Sequence, residues 1–309
     1  MSNESMKAIR LQDYGSADKL VLEQAPCPEP KEQEVLLQIK AAGVNPADWK
    51  YRSGMYKQFA PLSFPWIPGL EAAGIVETVG SGVTAFQPGQ AVFGFVPSAY
   101  AEYSAVPVTD LTLKPENLNF DQAASVPVGA MTAWAAVEAA DLHAGQRVLV
   151  QGGAGGVGNF AVQLAHLKGA HVVATTSAAN VDFVRSLGAD EVIDYQTTPF
   201  ETVVKGLDAV IDTVGGDLVE RSFQVLRPDG IFVTIAARVT PEQGQAHNVR
   251  AKSASRASAD KLVEVKTLIE SGQLKVVLGK VFPLADAPKA HTLSETGHGR
   301  GRIILHIVD

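Results

Sequence analysis

The sequence predicts an α/β protein of two domains, one a doubly wound parallel sheet and the other β-rich. Three observations predict it. The chain has 309 residues, beyond the size at which a single hydrophobic core keeps growing. From about residue 123, short apolar runs alternate with amphipathic helical segments, the pattern of a parallel sheet covered on both faces. Before that point the chain carries strand-like segments separated by Gly and Pro, the spacing of short strands and irregular loops.

In the first third, VLLQIKAAGV (35–44) and GIVETVG (74–80) read as strands. An Ala-rich helical stretch then runs from Ala123 to Ala140 and leads into the strand RVLVQ (147–151). A helix from Gly158 to Lys168, the strand HVVATT (171–176) and a helix near Val181 to Leu187 continue the alternation. Strands follow at EVIDY (191–195), DAVIDTV (208–214) and GIFVTIA (230–236). A last helix, Ala259 to Ser271, precedes LKVVLGKVFPL and the terminal RIILHIVD, which do not extend the alternation and are expected to rejoin the first domain. The expected division is therefore 1–124 with 256–309 for the β-rich domain, and 125–255 for the doubly wound domain.

Composition narrows the function classes. Charged residues make up 19% and hydrophobic ones 46%, which excludes a disordered chain and a long coiled coil. The net charge is −7 with no basic block, so no nucleic-acid partner is expected. The polar start from Met1 to Lys7 lacks the pattern of a signal peptide, and no charge-free run reaches membrane-spanning length; a soluble, cytoplasmic protein with no membrane partner is expected. The single Cys27, between two prolines, forms no internal disulfide and supplies no multi-thiolate metal site. The seven histidines show no metal-ligand or triad spacing, and most read as surface or helix-end residues.

Gly153, Gly155 and Gly158 form a GxGxxG between a strand and a helix, the context in which backbone N–H groups and a helix N-terminus receive a pyrophosphate. Gly153 is expected to make the tight turn, Gly155 to let the backbone approach phosphate, and Gly158 to let helix and strand pack; Gly156 and Val157 complete the loop. The doubly wound domain is thus a Rossmann domain. An NAD site places a carboxylate at the end of the second strand, but this strand ends in Thr175, Thr176 and Ser177. Hydroxyls there, with Tyr195 after the next strand, favour NADP(H). Val214 and Gly215, and Ala236 with Ala237, fall at the carboxyl ends of parallel strands, where such ligands lie.

Seven segments, AAGVNPADWKYRSG (41–54), PGLEAAGIVETVGSGV (68–83), FQPGQAVFG (86–94), VLVQGGAGGVG (148–158), LGADEVIDY (187–195), DAVIDTVGG (208–216) and GHGRGRIIL (297–305), resemble in order and spacing the zinc-free quinone oxidoreductases of the medium-chain dehydrogenase/reductase superfamily. NPADWK, with Lys50 where many quinone reductases carry a tyrosine, resembles the alkenal and enone oxidoreductase branch. The resemblance implies a GroES-like catalytic domain beside the Rossmann domain, NADPH as cofactor, a homodimer, and reduction of a small enone or quinone. It also implies that Pro127 and Thr132 face the cofactor. Zinc-dependent relatives carry a Cys ligand within the segment matched by Gly43 to Asp48 and a His–Glu pair at Leu70 and Glu71, so no metal is expected.

Without zinc, hydride addition to the β-carbon of an enone is the accessible chemistry, because the charge delocalises into an enolate that hydrogen bonds can stabilise. Asn45 and Lys50 are the candidates for the polar side of the pocket. Lys50 either meets the enolate oxygen or the nicotinamide ribose, or is a solvated charge; Asn45 before Pro46 is alternatively a turn residue. Tyr56 is either the proton donor or a pocket wall, and Phe64 and Trp66 either line the pocket or pack in the core. Three readings follow: an NADPH-dependent enone or alkenal reductase, an NADPH:quinone reductase, or a dinucleotide-binding protein without turnover.

Overall fold

The computed structural model describes residues 5–308, so the first four residues of the polar start and the last residue of RIILHIVD lie outside the described residues. The described chain forms two compact units. The first comprises the described residues up to Val128, Ala259–Glu270, and those from Val276 onward; the second comprises Gly129–Ser258 and Ser271–Lys275. Ser271–Lys275 joins the second unit through Gln163, whose amide donates to the Lys275 carbonyl (3.0 Å) and accepts from its N–H (2.7 Å).

In the first unit, β1 (Ser5–Arg10) and β2 (Val21–Pro26) form an antiparallel pair. Then come β3 (Glu34–Val44), α1 (Pro46–Arg52), β4 (Ala72–Val79), β5 (Ala91–Gly94), β6 (Tyr103–Pro107), β7 (Leu111–Leu113) and α2 (Phe120–Ala124). β3 shows the alternation of a half-buried strand as far as Ile39, with Val35, Leu37 and Ile39 facing the core. From Ala41 to Val44 every residue is buried. Only small residues fit most of that stretch, since a Cβ on Gly43 would stand 2.2 Å from the Glu71 carboxylate.

The second unit begins within α3 (Pro127–Ala140), followed by β8 (Arg147–Gln151), α4 (Gly158–Leu167), β9 (His171–Thr176), α5 (Val181–Ser186) and β10 (Glu191–Asp194). β11 (Leu207–Asp212), α6 (Leu218–Phe223), β12 (Leu226–Thr234), α7 (Pro241–Gln245) and β13 (Arg250–Ser253) complete it. The six strands are parallel in the order β10-β9-β8-β11-β12-β13, and the order reverses between β8 and β11. That is the Rossmann arrangement, whose ligands bind at the carboxyl ends of the strands beside the reversal. Leu149, Val173, Val210 and Phe232 fill its core.

The chain then returns to the first unit as α8 (Leu262–Glu270), β14 (Leu278–Pro283), α9 (Ala287–Glu295) and β15 (Arg302–His306). β15 pairs antiparallel with β3, and the sheet runs β14-β15-β3-β4-β5-β7 with β6 also on β3.

Two readings of the sequence are corrected. The helical stretch from Ala123 is two helices, broken at Ser125 and Val126, because Pro127 lacks an N–H and disfavours helical geometry in the residue before it. The stretch between GIFVTIA and the last helix, to which the sequence reading assigns no element, contains the sixth strand, β13. It is an edge strand that buries only Ala251, so it carries no apolar run to announce it.

Candidate functional site

The glycine turn lies at the carboxyl end of β8, beside the reversal of strand order. Its left-handed residue is Gly152 (φ 72°), one position earlier than expected; Gly153 has no positive φ, and its N–H returns to the Thr175 carbonyl at 2.9 Å. The Thr175 hydroxyl accepts from the Gly152 N–H at 3.1 Å, so this side chain belongs to the turn itself. A Cβ on Gly158 would sit 2.0 Å from the Gly152 carbonyl oxygen, so only glycine lets α4 start there. On Gly155 a Cβ would meet only the Gly152 oxygen, at 3.2 Å, which leaves the other side of the loop open to a ligand. The Gly155 N–H is bonded back to the Gly152 carbonyl at 2.9 Å, and the next amides bonded back are those of Asn159, Phe160 and Ala161; Gly156, Val157 and Gly158 between them head the helix where its dipole favours an anion.

Asn159, which sequence reasoning missed, is fully buried and donates to the carbonyls of Gly155 (2.7 Å) and Gly156 (3.3 Å), tying the loop down from inside. Gly129 packs α3 against the same loop, with a would-be Cβ 2.8 Å from the Gly156 oxygen; Thr132, one turn on, is half-buried and Pro127 is buried.

The neighbouring strand ends are organised by two further residues that motif reading passed over. Asp212, fully buried, accepts from the N–H groups of Val214 (2.9 Å) and Gly215 (2.8 Å) and from the Thr234 hydroxyl (2.7 Å). Thr234 in turn accepts from the N–H groups of Ala236 (3.1 Å) and Ala237 (3.2 Å). Those four amides are thus engaged, and the exposed Val214 and Ala236 offer side-chain surface and carbonyls instead. A Cβ on Gly152 would meet Val214 at 3.1 Å and one on Gly215 would meet Ala236 at 3.2 Å, so the ends of β8, β11 and β12 converge.

At the end of β9, Thr176 is buried and Ser177 half-buried, and the Ser177 hydroxyl accepts from the Asn180 amide at 3.1 Å. The exposed Tyr195 is drawn beside them by its N–H, which donates to the Thr176 carbonyl at 3.0 Å.

In the first unit, the polar residues around α1 form a buried network. Asn45 is 2% exposed; its amide donates to Glu71 at 2.9 Å and accepts from Arg302 at 2.8 Å. Arg302 also forms an ion pair with Glu71, whose second oxygen accepts from the Val128 N–H at 2.7 Å. Asp48, fully buried, accepts from the Asn45 N–H (2.8 Å) and the Tyr100 hydroxyl (3.0 Å). Burial pushes its carboxyl up to about 7, against those two hydrogen bonds, and the nearby Glu71 charge adds to the rise. Tyr100 lies 3.3 Å from a ring nitrogen of His291, which burial pushes down to about 3. His291 is thus a neutral core residue rather than a surface one.

The three catalytic candidates divide. Asn45 points into this network, whereas Lys50 and Tyr56 are half-buried. The Lys50 ammonium rests 5.5 Å from the centroid of the Trp49 ring. Tyr56 meets Tyr51 edge-on and Phe59 at a tilt, each at 5.1 Å, and burial raises its hydroxyl above the ordinary phenol range. Phe64 and Trp66 are partly buried against the core of this unit. Glu71 and Arg302 were legible as single charges at the head of apolar runs, EAAGIV and RIIL, since a buried charge requires a partner.

Comparison with known proteins supports this layout. Residues 31–142 match the alcohol dehydrogenase GroES-like domain and residues 187–305 the zinc-binding dehydrogenase family. The chain is 36% identical to the 2-methylene-furan-3-one reductase of Solanum lycopersicum, across 97% of this chain and 79% of that one. It is 35% identical to the chloroplastic NADPH-dependent alkenal/one oxidoreductase of Arabidopsis thaliana, across 98% and 80%. Among solved structures it superposes on the quinone oxidoreductase of Coxiella burnetii with a TM-score of 0.90 and 33% identity, across 98% of this chain and 99% of that one. A mycobacterial protein solved in complex with NADPH gives 0.88 and 29%, across 97% and 100%.

The second family's description names zinc, but the donors here do not fit it. Among the described residues no group of three or more His, Cys, Asp or Glu side chains is placed to hold a metal, and the Glu71 carboxylate is taken by Arg302, Asn45 and Val128. No helix among them is long and apolar enough to cross a membrane. The chain belongs to the medium-chain dehydrogenase/reductase superfamily, in its branch of quinone and alkenal/one oxidoreductases.

Proposed function

We propose that this chain is a zinc-independent, NADPH-dependent reductase of the activated C=C bond in α,β-unsaturated carbonyl compounds. The observation that carries the reading is the glycine turn, open at Gly155 and heading α4 beside the reversal of strand order. Gly153, Gly155, Gly156, Val157 and Gly158 would hold the pyrophosphate, with Pro127, Thr132, Val214, Gly215 and Ala236 around the rest of the cofactor. Thr176, Ser177 and Tyr195 would receive the 2′-phosphate, for which the strand end offers hydroxyls and no carboxylate. NADPH, when bound, supplies a hydride for the β-carbon.

The chain's own residues then manage charge and proton. Lys50 would offer an ammonium to the negative charge that develops on the substrate oxygen, a task that zinc performs in metal-dependent relatives. Tyr56, a phenol that burial raises further, carries a proton at neutral pH and is the candidate donor to the α-carbon. Asn45, buried on Glu71, acts through that carboxylate rather than on the substrate.

A quinone is the second reading, favoured by the likeness to the Coxiella burnetii enzyme and by the conjugated carbonyl that quinones and enones share. The remaining reading, a dinucleotide-binding protein without turnover, predicts NADPH binding with no oxidation. The same proposal makes the chain a homodimer in the cytoplasm, whereas the Arabidopsis relative is named chloroplastic. Sedimentation and cell fractionation check these two points.

Steady-state NADPH oxidation against a panel of enals, enones and quinones, with and without a chelator, tests the function. Turnover of enones that survives chelation is expected, with NADH at least about tenfold poorer. Equal use of NADH contradicts the roles of Thr176 and Ser177, and inertness toward every acceptor overturns the proposal.

A further inference from the structure

We infer that Glu71 is a positioning residue for this reaction, its two carboxylate oxygens tying the residue ahead of α1 to the first turn of α3 while Arg302 supplies the counter-charge. The inference rests on the function proposed above for its catalytic arm and on geometry alone for the rest.

One oxygen of Glu71 receives the Asn45 amide at 2.9 Å and the Arg302 guanidinium, and the other receives the Val128 N–H at 2.7 Å. Asn45 immediately precedes α1, which carries Lys50, and Val128 follows Pro127 at the start of α3, which carries Thr132. A single side chain therefore touches the starts of both helices that bear candidate site residues. The N–H of Val128 is among those a helix cannot bond internally, and a carboxylate there is also favoured by the helix dipole.

The surroundings are shaped to hold the carboxylate in one place. It is fully buried, and a Cβ on Gly43 would overlap it, so the backbone of β3 leaves a notch of its size. A buried carboxylate needs a compensating charge, and the Arg302 guanidinium, 4% exposed, meets Glu71 and the Asn45 carbonyl together. The two charges cancel, so what the pair delivers to the helices is the placement of acceptor oxygens rather than net charge.

The test separates placement from charge with two double variants. In Glu71→Met with Arg302→Met both charges leave and the volumes stay filled, but Val128 and Asn45 lose their acceptor. With Glu71→Gln and Arg302→Met the charges also leave, yet the Gln oxygen still accepts from Val128, and the Asn45 amide, released by Arg302, flips so that its side-chain oxygen accepts from the Gln NH2. Three measurements are made on each: kcat and KM for an enone, the urea midpoint, and hydrogen exchange of the Val128 amide.

The Met/Met protein is expected to lose kcat about ten- to a hundredfold with KM changed less than about threefold. Its Val128 amide should exchange at least about tenfold faster. The Gln/Met protein should recover kcat at least about tenfold over Met/Met and restore Val128 protection. Equal kcat in the two double variants, corrected for folded fraction, would assign Glu71 to stability alone and overturn the inference. Should the wild-type chain reduce no acceptor, the proposed function falls. Glu71 is then judged on Val128 exchange, where equal protection in both variants refutes it.

Discussion

The glycine turn of the second unit and the Glu71 network of the first solve opposite problems with the same groups. At the turn, side chains withdraw inward: Asn159 takes the carbonyls of Gly155 and Gly156, and Thr175 takes the Gly152 amide, so the head of α4 faces outward. In the network the side chains turn to one another, and Glu71, Asn45, Arg302, Asp48 and Tyr100 make their hydrogen bonds inside the protein, with Asp48 Oδ1 and Arg302 Nε left unpaired. A ligand site built from backbone tolerates no Cβ where chain meets chain. A support built from buried charge tolerates no missing partner.

That contrast predicts where substitutions hurt. The largest effect is expected from Arg302→Met alone, which leaves Glu71 buried and uncompensated and should cost about 3–5 kcal/mol in urea denaturation. A loss below about 1 kcal/mol would mean that water reaches the pair. Next comes Gly158→Ala, whose Cβ has no room 2.0 Å from the Gly152 oxygen. NADPH titration should show affinity falling about a hundredfold, near 3 kcal/mol, and unchanged affinity would break the backbone half of the comparison.

Tyr56→Phe removes a phenol without touching either system and should lower kcat about a hundredfold at unchanged melting temperature; full activity would make Tyr56 a wall. Ser177→Asp puts a carboxylate at the end of β9 and should shift preference from NADPH toward NADH by roughly tenfold, read as the ratio of kcat/KM values.

The last change is one of slope, spread over a pH window. Asp48 is held up to about 7 in the folded protein, chiefly by burial, against an unfolded value near 3.8. Between those values the folded state keeps a proton that the unfolded chain has released, so stability falls as pH rises through that window and levels off above it. In Asp48→Asn one oxygen still accepts from Asn45 and Tyr100, and the stability profile should flatten between pH 4 and 7. An unchanged slope would assign the pH dependence elsewhere.

The same contrast explains what was legible beforehand. The turn could be read because backbone constraints write themselves as glycines at fixed spacing, close together in the chain. Even so, the left-handed position fell on Gly152 rather than Gly153, because a motif fixes spacing and not φ. Asn45, Glu71 and Arg302 stand 26 to 257 positions apart, and no local pattern joins them. Asn45 therefore looked like a pocket residue until its burial and partners were seen. Asp212 and Thr234 stayed hidden for a related reason, since they sit at the ends of apolar strands and work on amides two or three residues ahead. The edge strand β13 escaped because it buries a single side chain.

The central claim is that this chain delivers hydride to the β-carbon of the activated C=C bond rather than to the carbonyl carbon. Reduction of a deuterium-free enone with NADPH carrying deuterium at the transferred position, followed by NMR of the product, tests it directly. The account predicts a saturated ketone with one deuterium on the β-carbon, formed equally well after metal chelation. An allylic alcohol with deuterium on the carbinol carbon would contradict it.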